Sequence, residues 1–311
     1  MNLPRPSGEK PARQTRRSKY PLSHPSIAAL MTEALGDEGP EEVMRRKCRD
    51  LVAWARAKGW GGPPFDPEIL AGLMGIAVEE TDEILEGDGR IFPRCGRVVI
   101  QHRTGKPVER QRFTICHEIA HTCFNNVFDV VRWHNSAIED DPAHRAFENL
   151  CDVGAAELLM PREEFSADLA ASRLCLQHAE ALRNRYIASL EATLRRLLEL
   201  TPHPCAALFL TDESFGDFPA ASGCMRVRWM WKSGTFKGFF RAGTMLPRGR
   251  CLVTDCDETC QPFPLKRETW WIQGKPLSWY VELVRLPVIP ELLSYPKVVV
   301  LLHSRRPTLV S

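Results

Sequence analysis

The apolar positions along the chain change their rhythm twice, and the changes divide it. In "GPEEVMRRKCRDLVAWARAKG", Val43, Leu51, Trp54 and Ala55 fall on one side of a helical repeat, with Pro40 at the start, Glu41 and Glu42 in the first turn and Gly59 as the stop. That pattern predicts an amphipathic helix. "DPEILAGLMG" predicts a second, shorter one, because Asp66 can cap it, Pro67 suits the first helical position and Gly75 ends it. The rhythm then shifts to short β-like runs, "RIF" and "RVVIQ", around a turn containing Gly96, which predicts a hairpin. From residue 110 the helical period returns: Phe113, Cys116, Ala120, Cys123 and Phe124 form a stripe that ends near Asn125 and Asn126. A further helical run spans 142–160 and stops at Pro161, and 166–200 stays helical, clearest where Ser189 caps a segment with leucines at 190, 194, 197 and 198. Three helices are therefore expected after the hairpin. Beyond "TPHP" at 201–204 the chain reads as strands: "CAALFL", "MRVRWMW", "TWWIQ", "WYVELVRL" and "KVVVLLH". The expected fold class is α+β, a helical domain with a small sheet followed by a smaller β-rich C-terminal domain. Its boundaries are a basic tail at 1–25, a helical core at 26–165, a further helical segment at 166–203 and the β-rich part at 204–311.

Composition restrains this picture more than it directs it. The net charge of +2 offers no global attraction for nucleic acid. Residues 1–20 hold six Arg or Lys against Glu9, with little to bury, and read as a disordered, solvated tail. Runs such as "PKVVVLLH" are far too short to cross a bilayer, and the first residues lack an apolar signal core, so the chain is expected to be soluble and cytoplasmic, without a membrane partner. The eleven cysteines are odd in number and mostly in apolar surroundings, which reads as buried free thiols. Cys251, Cys256 and Cys260 lie close together but lack two-residue gaps and a fourth ligand, so they read as thiols in a turn.

The chemistry concentrates in "FTICHEIAHTCF". On a helix, His117 and His121 share a face and can aim their imidazoles at one ion, while Glu118 sits one position round, beside the ion, where a general base belongs. A catalytic zinc needs a third protein ligand and an open position. "AFENLCDVGAAELLMP" offers Glu148, and Asp152 one turn later on the same face can accept the outer N–H of a ligating histidine. His134, Asp140 and His144 are the other candidates, in a stretch of weaker periodicity. Arg145, Tyr186 and His144 are available types for stabilising an oxyanion. "RVVIQ", placed at the edge of a cleft, would pair with an extended peptide.

Together, "ERQRFTICHEIAH", "ENLCDVGAAELLMP", "IASLEATLRRLLEL" and "GGPPFDPEILAGLMGI" resemble the ImmA/IrrE family of metallopeptidases over residues 45–200. The resemblance implies a zincin-like domain with helix-turn-helix-like helices, and one zinc, with manganese as the alternative ion, held by His117, His121 and Glu148 with Glu118 as catalytic base. It also implies a protein substrate, a helix-turn-helix transcriptional repressor, whose removal switches gene expression in a stress response. Three departures stand out: Ala120 where glycine is common, Cys151-Asp152 where Ala-Asn is usual, and Gly154 where a large aromatic is usual. Two other function classes compete with the peptidase. One is an inert metal-binding sensor working through its C-terminal domain. The other is a DNA-binding regulator presenting an exposed Arg195-Arg196 pair, although nucleic acid is not expected as a direct partner.

Overall fold

The computed structural model describes residues 20–83, 87–125, 141–214, 216–220, 224–246, 262–272, 275–286 and 298–307. The first nineteen residues of the expected tail, His134, Asp140 and the trio Cys251, Cys256 and Cys260 lie outside these residues. The described architecture is α+β, with eight helices and two sheets.

Three helices lead: α1 (Pro25–Met31), α2 (Pro40–Ala57) and α3 (Pro67–Leu73). The α2 stripe is Met44, Cys48, Val52 and Ala55, spaced for one helical face; Trp54 is 39% exposed beneath the Lys58 ammonium, which corrects its expected place on the apolar side. Asp66 caps α3 as its position predicts, accepting from the N–H groups of Glu68 and Ile69.

The first sheet has the order β1-β3-β2, built from β1 (Ile76–Thr81), β2 (Gly89–Arg94) and β3 (Arg97–Arg103). β2 and β3 are the expected hairpin, turned by Cys95 and Gly96 at φ 50° and 77°, the left-handed pair that a two-residue hairpin requires. β1, running parallel to β3, was not expected. Its pairing puts "RVVIQ" in the middle of the sheet, so the expectation that this run forms a cleft edge is corrected: the edge is β2. The residues flanking the turn form a hydrogen-bonded pair, so the alternation along the register turns the backbone groups of Gly89, Ile91 and Pro93 to the free side. Pro93 stands where its missing N–H breaks no ladder bond.

Five helices follow among the described residues, where three were expected: α4 (Val108–His121), α5 (Pro142–Leu159), α6 (Arg162–Ala170), α7 (Leu176–Tyr186) and α8 (Leu190–Leu200). The stretch 166–200 hides its breaks because apolar spacing carries across them; one falls at Ile187, held at φ 49°. The expected exposed arginine pair is also corrected. Arg196 is fully buried, 2.8 Å from the Glu157 carboxylate and donating to the Met160 carbonyl, while Arg195 lies over the Trp231 ring. α8 is thus committed to packing, and this pair cannot read DNA.

All five C-terminal runs form one antiparallel sheet in the order β5-β4-β8-β7-β6, from β4 (Cys205–Thr211), β5 (Arg226–Lys232), β6 (Phe263–Ile272), β7 (Lys275–Arg285) and β8 (Val298–His303). β4 and β8 are buried on both faces, which explains why their sequences are unbroken apolar runs. One face, with Ala207, Phe209 and Leu301, continues the helical core. The other, with Leu208, Val300 and Leu302, packs against Phe236, Phe240 and Trp270 in a second core.

Candidate metal centre

Helix α4 carries His117, Glu118 and His121; helix α5 carries Glu148, Cys151 and Asp152. Their close approach depends on Gly154. A Cβ there would lie 2.7 Å from the Ala120 Cβ, 3.1 Å from Cys48 Sγ and 3.2 Å from Met44 Sδ. Ala120 and Gly154 are thus one reciprocal adjustment: the methyl at 120 fills the space that a side chain at 154 would need.

That seam brings the expected residues together. His117 Nε2 lies 3.0 Å from Glu148 Oε2, and His121 Nε2 lies 4.0 Å from the same oxygen. The two imidazoles meet nearly edge to face, with centroids 5.0 Å apart. On its far side, His117 Nδ1 faces Asp152 Oδ1 at 3.0 Å, the contact that one shared helical turn with Glu148 predicts. His144, one turn before Glu148, has Nε2 3.8 Å from Glu148 Oε1. Of the other oxyanion candidates, Arg145 is exposed, and Tyr186 is buried with its hydroxyl donating to Asp168. Cys116, as its position predicts, is a packing residue, and burial pushes its thiol up to about 12.

Cys151 was visible in the sequence only as a departure from the family pattern. One ligand atom from each of His117, His121 and Cys151 lies within 4.8 Å of the others, so the thiol is a rival for the third-ligand place. Its contact, however, is with His121 Nδ1 at 3.4 Å, while Glu148 faces the Nε2 atoms of both histidines. An imidazole that gives one nitrogen to a metal is oriented through the other. By that geometry Cys151 stands to His121 as Asp152 stands to His117, and both Cys151 and Glu148 are placed to offer a third donor.

The electrostatics fit a cation. Burial opposes charge on His117, but its hydrogen bonds to Asp152 and Glu148 outweigh that and hold its pKa up at about 10. Burial pushes the Glu118 carboxyl up to about 7, against the downward pull of His117. A nitrogen and a carboxylate oxygen 3.0 Å apart need positive charge between them. A proton supplies it in the metal-free chain; a divalent ion would displace that proton and recruit His121 as well. Two imidazoles and a carboxylate are a donor set suited to zinc. Over this group lies the edge strand: a Cβ on Gly89 would lie 2.4 Å from Thr114 Cγ2 and 3.1 Å from Glu118 Oε1, so glycine lets β2 pack closely on this face of α4.

Residues 75–198 match the peptidase M78 model described as the IrrE N-terminal-like domain. The radiation response metalloprotease IrrE of Deinococcus deserti is 33% identical over 209 residues, 65% of this chain and 71% of that protein. Its namesake in Deinococcus radiodurans is 32% identical over 206 residues, 66% of this chain but 61% of that protein, so the match spans about three fifths of the latter. A solved Mycobacterium tuberculosis transcriptional regulator shares the fold, with a TM-score of 0.51 at 18% identity over 85% of this chain and 81% of that one. No helix among the described residues is long and apolar enough to cross a membrane. With 33% identity to the Deinococcus deserti relative over 71% of its length, and the peptidase M78 match over residues 75–198, the chain belongs to the IrrE-like metalloprotease family.

Proposed function

We propose that the protein is a zinc-dependent endopeptidase that cleaves a specific regulatory protein, a helix-turn-helix repressor, and so controls gene expression. The observation that carries this reading is the convergence of His117 and His121 Nε2 on one Glu148 oxygen, with buried Glu118 beside them. His117, His121 and Glu148 would hold the metal. When bound, the ion supplies Lewis acidity, which makes a water more acidic and a peptide carbonyl more electrophilic.

The remaining chemistry belongs to the chain. Glu118, buried and with a pKa near 7, is matched to accepting a proton from the attacking water at neutral pH and returning it to the leaving amine. Asp152 fixes the His117 ring through Nδ1, and Cys151 does the same for His121. The outward N–H and C=O groups of Gly89 and Ile91 can pair with an extended segment of substrate and lay its backbone beside Glu118. The test is to compare protein N-termini in cells expressing the wild type with those expressing Glu118→Gln. The expected result is a new N-terminus in a DNA-binding repressor with the wild type alone. Identical N-termini in the two strains would overturn the reading.

A further inference from the structure

Where the C-terminal sheet meets α7, a second set of two imidazoles and a carboxylate comes together, remote in sequence from the helix pair. His303, at the end of β8, is fully buried; Glu282 of β7 is 4% exposed and His203, just before β4, is 8% exposed. Register puts Tyr280 opposite His303 and Glu282 opposite Leu301, so Glu282 and His303 are diagonal neighbours on one face. Their side chains meet with Oε1 and Nε2 3.7 Å apart. The His203 ring stands against His303 at 61°, with centroids 5.3 Å apart.

The polar atoms at the centre of this group are not satisfied. Glu282 Oε2 accepts from the Leu176 N–H, at the first residue of α7, at 2.8 Å. Glu282 Oε1, both ring nitrogens of His303 and His203 Nε2 have no hydrogen-bond partner among the described residues. Each such buried atom is destabilising unless something fills the gap. A separation of 3.7 Å is too long for a hydrogen bond. It is close to the spacing of two donors around one tetrahedral ion, about 3.3 Å when each bond is about 2.0–2.1 Å. The ring separation also resembles the 5.0 Å between His117 and His121.

We propose that Glu282, His303 and His203 form a second metal site that binds a zinc-sized divalent cation and ties β7 and β8 to the segment leading into β4. Cys205 is fully buried and directly opposite His303 across the β4–β8 ladder. Three donors lie within 4.8 Å of one another at the helix pair, whereas here His203 must swing inward as the ion binds. The burial makes the role structural: a site without a solvent-facing position holds an ion but offers no place for substrate. Through Glu282 Oε2 and Leu176 the site reaches the start of α7. This inference goes beyond the peptidase reading and does not depend on it.

The test counts zinc. Full-length protein stripped with a chelator is dialysed against Zn2+ alone, and bound zinc per chain and melting temperature are measured for wild type, His121→Ala, Glu282→Gln and the double variant. Glutamine keeps the size of Glu282 and its acceptor for the Leu176 N–H. The expected contents are about two, one, one and none, with zinc raising the melting temperature of His121→Ala but not of the double variant. The proposal is overturned if His121→Ala holds no zinc, or if the double variant holds as much as His121→Ala. Should His121→Ala still hold two while Glu282→Gln holds one, the second site stands and the helix-pair assignment fails. If the double variant does not fold by circular dichroism, His203→Gln on the His121→Ala background takes its place and is read in the same way.

Discussion

Two constellations of two histidines and one glutamate occupy this chain, and they differ in how they meet water. At the helix pair the His117 and Glu148 side chains are 16% and 34% exposed, whereas those of His303 and Glu282 are 0% and 5% exposed. The same set of two imidazoles and a carboxylate lies in one place on two helices under a sheet edge, and in the other on two strands and the segment leading into a third, inside a core. The first arrangement is reached by solvent; the second is shut away from it. Donor identity therefore suggests that a metal binds, while burial separates chemistry from scaffolding.

The sharpest way to break this comparison is to make the same amide substitution at both sites. Glu118→Gln is expected to lower kcat/KM by at least about a hundred-fold with zinc content and melting temperature unchanged, because an amide cannot accept the water proton. Glu282→Gln should leave kcat/KM within about two-fold of wild type. A cleavage assay on a repressor substrate checks both; equal losses would erase the distinction.

Next in size is Asp152. If its contact with His117 Nδ1 orients the ring, Asp152→Ala should weaken zinc binding or activity by about 10- to 100-fold. Were it only a surface acid, stability would change by about 0.5 kcal/mol or less and affinity not at all. Competition with a chelator distinguishes the two, and equal affinities would leave His117 without its positioning partner.

The seam behind the helix pair is a third handle. Gly154→Ala adds a methyl 2.7 Å from the Ala120 Cβ and is expected to destabilise the fold by about 1–3 kcal/mol in denaturant unfolding. Combining it with Ala120→Gly should recover part of that loss. Independent effects would mean that the two positions are not one adjustment.

The smallest effect is in acid. His203 titrates near 4 when folded against 6.5 in the unfolded chain, so its contribution to stability is fully present above about 6.5 and is lost as pH falls towards 4. Zinc-free wild type should therefore lose melting temperature across that window more steeply than zinc-free His203→Gln. Parallel curves would show that His203 is not held neutral.

The first constellation was legible in the sequence because helical spacing is short-range. His117 and His121, or Glu148 and Asp152, declare a shared face through a four-residue step, and the family resemblance joined the two helices. Cys151 was legible as a residue but not as a contact, since only the crossing of α4 and α5 aims its sulfur at His121. The second constellation could not be read at all. Its members come from β7, β8 and the segment leading into β4, and only strand register, which no local pattern encodes, makes them neighbours. The same limit hid β1, whose partner is a parallel strand reached across the hairpin, and Arg196, whose burial depends on Glu157 from another helix. The five C-terminal strands were legible because each carries its own apolar run.

Pro93 has a further consequence, for solubility. An open strand edge that can receive a substrate backbone can also receive another copy of itself, the first step towards polymeric sheet. The outward side of β2 offers complete backbone pairs only at Gly89 and Ile91; at Pro93 the donor is absent, and Arg90 and Arg94 flank the edge with charge. A long partner strand therefore loses its ladder after two residues, while a short segment needed only for presentation beside Glu118 still fits. One proline thus limits how much β-structure this edge can recruit from another copy of the chain.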